Sequence, residues 1–139
     1  MTQTRVDEHN RLAWEIAAEQ AYQWSVPVTA QDLEEAKKHL KLKVTPTSLI
    51  PDEWLKALAP YHGKKVLLLA GGGGQQGPLL AAAGFEVVIL DISANQLKID
   101  QKVFDEHELK GEFIEGLIGT AGVDHIVKTV EHQNKTVQI

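Results

Sequence analysis

Apolar positions in the first third of the chain recur at helical spacing. From Val6 to about Trp24, the residues Leu12, Ala13, Ile16, Ala17 and Trp24 line one stripe, and the proline of "SVPVT" closes the run, which predicts one amphipathic helix. Thr29 is placed to cap a second helix reaching Leu40. In it, Glu34 and Glu35 precede Lys37 and Lys38 by three or four positions, the spacing of a solvated, charge-paired face. The stretch "KVTPTSLIPDEWLKALAP" reads as an extended, proline-punctuated link. A short helix follows it, with Pro51 in its first turn and Trp54, Leu55 and Leu58 facing inward.

The pattern changes at Lys65. "VLLLA" is apolar without alternation, as in a strand buried on both faces. After a run of glycines, "GPLLAAAG" predicts a compact helix with Pro78 in its first turn and Gly84 as its C-cap. "EVVIL" is a second buried strand ending at Asp91, and Ser93 with Gln96 has the spacing of a capping box opening a helix from Ala94 to His107. Strand, helix, strand, helix is the order of a parallel sheet with right-handed crossovers. Beyond it, "GEFIEGLIG" predicts a third strand, "AGVDHIVKTVEHQ" a helix and "KTVQI" a short final strand. The expected fold is α/β: a partial Rossmann-like parallel sheet of three or four strands behind an N-terminal helical preface. A helical extension over 1–60 would precede a cofactor-binding half-domain over 61–139.

Composition narrows the partners. The chain has 139 residues, a formal charge of -5 and no cysteine. Scattered basic residues leave no footprint for nucleic acid, and disulfides, thiolate metal sites and a cysteine nucleophile are excluded. No apolar stretch approaches the ~18 residues of a membrane span, and the N-terminus has no apolar signal core. A cytoplasmic protein with no nucleic-acid or membrane partner is the expectation.

The chemistry gathers in "VLLLAGGGGQQGPLLAAAGFEVVILDIS". Gly72, Gly74 and Gly77 satisfy G-x-G-x-x-G between a predicted strand and a predicted helix. That context lets a ligand lie against bare backbone. Asp91 follows Gly72 by nineteen residues at the end of the next strand, where a carboxylate accepts hydrogen bonds from ribose hydroxyls. Loop and acid together describe an adenosine-bearing ligand. The plain alternative is a tight turn beside a solvated aspartate.

These residues, with "NRLAW", "WSVPVT" and "VTPTSLIPDEWL" upstream, resemble the first half of class I S-adenosylmethionine-dependent methyltransferases over roughly Asn10 to Val103. The resemblance implies that Ala70, Gly71, Gly72, Gly73 and Gly74 form the loop under S-adenosylmethionine or S-adenosylhomocysteine. It also implies that Asp91 holds the ribose, that Ile92 packs on the adenine, and that a small-molecule acceptor takes the methyl group. Two positions depart from the family pattern: Leu68 stands where an acid is usual in the first strand, and Leu117 where one often follows the third. The family's sheet also continues through further strands, so the chain resembles a cofactor half with an unfamiliar ending.

Other candidates carry less. His9 and Tyr22 are acid–base candidates by default, read more simply as an exposed terminal residue and a packing residue. Trp14, Trp24 and Trp54 offer an aromatic wall, although tryptophans at these spacings more often fasten helices to a sheet. His125 and His132, seven residues apart on a predicted helix, would lie about 10.5 Å apart along its axis, too far to share a metal ion. Two other functions fit the same residues: a non-catalytic remnant that dimerises through an exposed sheet edge or its tail, and an NAD-binding Rossmann domain.

Overall fold

A computed structural model describes residues 3–20, 25–45, 48–116 and 136–138. The fold is α/β, a partial Rossmann-like parallel sheet with a helical preface. Helix α1 (Gln3–Glu19) begins before the expected Val6, and its expected continuation over 21–24 lies outside the described residues. Its apolar stripe is not buried as a stripe. Ala17 is buried, whereas Leu12, Trp14 and Ile16 are exposed. Helix α1 docks on α5 (Ala94–Glu106) through its acidic side, where Glu15 accepts from the Asn95 N–H at 3.3 Å. Carboxylates beside the first turn of α5 also suit the positive end of its dipole.

Helix α2 (Ala30–Lys38) starts where the sequence placed it. Thr29 Oγ1 accepts from the Asp32 N–H at 3.2 Å, and the Asp32 carboxylate accepts from the Thr29 N–H at 2.8 Å, a reciprocal cap. Leu33 and Ala36 face inward while Glu34, Glu35, Lys37 and Lys38 stay in solvent. The expected extended link contains a small antiparallel pair, β1 (Lys43–Thr45) with β2 (Ser48–Leu49). Helix α3 (Asp52–Lys56) has Pro51 at its N-cap rather than inside its first turn. The inward placement of Trp54 is corrected, since it is 66% exposed while its neighbour Leu55 is buried. Adjacent helical positions point about 100° apart, and a five-residue helix resting on the core with Leu55 turns Trp54 away.

The main sheet has the order β5-β4-β3-β6, every pair parallel. Its strands are β3 (Lys65–Leu69), β4 (Glu86–Asp91), β5 (Gly111–Glu115) and β6 (Thr136–Gln138). Because β3 and β4 are central, their uninterrupted apolar runs are buried on both faces. Val66, Leu68, Val87 and Ile89 pack with Leu80, Phe85, Leu97 and Phe104, while Leu67, Val88 and Leu90 form a second cluster. Helix α4 (Gln76–Ala83) holds Pro78 in its first turn and ends on Gly84 at φ 119°, as expected of a glycine C-cap. Gly77 allows α4 to lie close to the sheet: a Cβ there would stand 2.5 Å from Ile89 Cδ1. The third predicted strand is β5 and the final one is β6, while Leu117 and the helix predicted around His125 and His132 lie outside the described residues.

Candidate functional site

The turn from β3 into α4 and the carboxyl end of β4 meet at one edge of the sheet. Ala70 begins the turn at φ 55° and donates its N–H to Leu90 O at 2.8 Å, tying the loop to the neighbouring strand. Ala70, Gly71, Gly72, Asp91 and Ile92 then line a single cavity of about 280 Å³, joined by Trp14, Gln75, Gln76 and Gln96. Gly73 and Gly74 are buried beneath the turn and do not reach its wall.

Asp91 is buried, with 6% of its surface exposed. Its Oδ2 accepts the Gly72 N–H and its Oδ1 the Ser93 N–H, each at 2.9 Å. A carboxylate has about four acceptor positions, so two internal bonds fix its orientation and leave a lone pair on each oxygen unused by them. A side chain at Gly72 would destroy this arrangement, because its Cβ would stand 2.8 Å from Asp91 Oδ2.

Two polar side chains of α5 complete the site without having been singled out from the sequence as site residues. Ser93 Oγ caps the Gln96 N–H at 3.1 Å, but the Ser93 N–H goes to Asp91, so the expected capping box is half formed. The Gln96 side chain is instead buried against the preface, where its Nε2 donates to Ser25 Oγ at 2.7 Å and to Trp14 O at 3.3 Å. One turn on, Asp100 is fully buried, and its two oxygens accept the Gly73 and Gly74 N–H groups at 2.9 Å each. Burial pushes its carboxyl up to about 7, against the two loop N–H groups that hold it down, with the Asp91 charge adding a smaller upward push. The available signal was a glutamine and an aspartate four residues apart on the same helical face as Val103, polar groups at core positions.

The preface forms a wall of this site. Val28 N donates to Gly74 O at 2.8 Å, Gln75 Nε2 to Val26 O at 2.9 Å and Gln76 Nε2 to Lys43 O at 3.0 Å. A larger cavity of about 590 Å³ between Val26–Val28, α2, β1, β2 and α4 shares Gln75 and Gln76 with the smaller one. Asp91 does not line this larger cavity. Trp14 is 45% exposed, so its expected core role is corrected: it lines the smaller cavity instead. Trp54 lines neither cavity and His9 is exposed on α1. Tyr22 and Trp24 lie outside the described residues. Among the described residues no group of three or more His, Asp or Glu side chains is placed to hold a metal ion.

No model of a known protein family matches the chain. A Bacillus subtilis (strain 168) protein named uncharacterized methyltransferase YbaJ is 42% identical to it over 109 residues, which cover 78% of this chain and 42% of that relative. The chain therefore spans less than half the length of the relative it matches.

Proposed function

We propose that this chain is the cofactor-binding part of a class I S-adenosylmethionine-dependent methyltransferase whose acceptor is a small molecule. The observation that carries the proposal is the meeting of Ala70, Gly71, Gly72, Asp91 and Ile92 on one cavity wall at the carboxyl ends of β3 and β4. This is the edge where open α/β sheets take ligands. In the proposed complex, Asp91 accepts from both ribose hydroxyls with its unused lone pairs, and Ile92 covers the adenine. When bound, S-adenosylmethionine supplies the electrophilic methyl group, so the protein's tasks are to orient the cofactor and exclude water. The name of the Bacillus subtilis relative agrees with methyl transfer. Among the described residues no helix is long and apolar enough to cross a membrane, and the proposed site of action is the cytoplasm.

A dinucleotide would need loop N–H groups for its pyrophosphate. Those of Ala70, Gly72, Gly73 and Gly74 all donate within the protein, which favours the sulfur nucleoside over NAD. Isothermal titration with S-adenosylhomocysteine tests the proposal: the wild-type chain should bind, and Asp91→Asn, which replaces an acceptor with a donor, should weaken binding at least tenfold. Absence of both heat and a thermal shift at millimolar ligand in the wild type would defeat it. That outcome would leave the non-catalytic, dimerising scaffold as the better account.

A further inference from the structure

Asp100 is a buried carboxylate that methyl transfer itself does not employ. Among the described residues no Lys, Arg or His pairs with it, and its partners are the Gly73 and Gly74 N–H groups at 2.9 Å. The Gly72 N–H goes to Asp91 at the same distance. Three successive donors of the glycine turn thus point into the protein at two acids. A turn that binds phosphate does the reverse, aiming its N–H groups outward at the anion. Burying a carboxylate without a cation is unfavourable, and burial raises its proton affinity to an apparent pKa of about 7. Pinning an inverted turn is an arrangement in which both oxygens are used.

Resting on the nucleoside reading of the adjoining cavity, we infer that Asp100 sets the charge selectivity of the glycine turn. It holds Gly73 and Gly74 with their donors inward and places negative charge beneath the ligand. The turn then accepts a cationic or neutral sulfur nucleoside and refuses a pyrophosphate. Asp100 acts through Gly73 and Gly74 and is a positioning residue: both glycines are buried and neither Asp100 nor they line the cavity. The sulfonium form of the cofactor should gain more from this charge than its demethylated product, which carries one positive charge less, and product release is favoured accordingly.

Titration calorimetry on the full chain at pH 8, where Asp100 is largely ionised, tests the assignment with S-adenosylmethionine, S-adenosylhomocysteine and NADH as probes. The wild type should bind the sulfonium at least as tightly as the thioether, and NADH at least a hundredfold more weakly. Asp100→Asn should reduce the sulfonium-to-thioether affinity ratio and the thioether-to-NADH ratio at least threefold each, while Asp100→Glu, which keeps the charge, retains both ratios. Unmoved ratios in Asp100→Asn would overturn the inference; Asp100→Ser carries the same comparison should the asparagine variant not fold. Failure of the nucleoside reading looks different: neither sulfur nucleoside binds the wild type, and the inference falls with it.

Discussion

Asp100 titrates near neutrality in the folded chain, against 3.8 for the unperturbed carboxyl. The folded state therefore binds the proton more tightly than the unfolded state. The stability this provides is fully present below the unfolded value and is lost as pH rises through about 7. Melting temperatures should fall between about pH 4 and 7 and level off above, and Asp100→Asn should flatten that slope; a slope unchanged by the substitution would mean another group is responsible. A second prediction concerns Gly77. Its missing side chain admits Ile89 Cδ1, so Gly77→Ala should cost about 1–3 kcal/mol by overpacking, less up to about 1 kcal/mol of helix propensity. Urea denaturation checks this, and adding Ile89→Val, which removes the intruding carbon, should restore part of the loss. At this scale the sequence disclosed Asp91 and the bare turn, because a strand end and a glycine run are local features. It did not disclose Asp100, because a buried aspartate has the same letter as a solvated one.

Among the elements, strands and caps were the most legible. The apolar runs of β3 and β4 have no polar alternation, and such segments are stable only with both faces covered. Thr29 and Ser93 each carry an oxygen that pairs with the N–H three residues on. Thr29→Ala should therefore destabilise the chain by about 1 kcal/mol, read as a lower urea midpoint with an unchanged slope. The pair β1 and β2 went unforeseen because strands of three and two residues contain no measurable period. Helix α1 is the instructive discrepancy. Periodicity identified a stripe holding Leu12, Ile16 and Ala17 but says nothing about which surface receives it, and α1 meets α5 with Glu15 and Glu19, which face Asn95.

For the whole molecule, the sheet has β5 at one edge and β6 at the other, with no further strand beside either among the described residues. Exposed edges pair readily, and the expected outcome of equilibrium sedimentation at high micromolar concentration is a dimer. Glu112 and Glu115 are exposed on β5, so association across that edge should strengthen with salt as repulsion is screened; a monomer at all salt concentrations would contradict it. The sequence by itself determined the alternation of strands and helices, the parallel α/β class and the pairing of a glycine turn with Asp91, since each follows from local periodicity or short spacing. Tertiary structure alone decided that β6 lies beside β3, that the preface walls the cavity with Trp14 and is tied to the turn and α5 through Val28 and Ser25, and that the turn donates inward to Asp100. Those contacts join residues dozens of positions apart, and their energies depend on burial and direction, which no local pattern of side chains encodes.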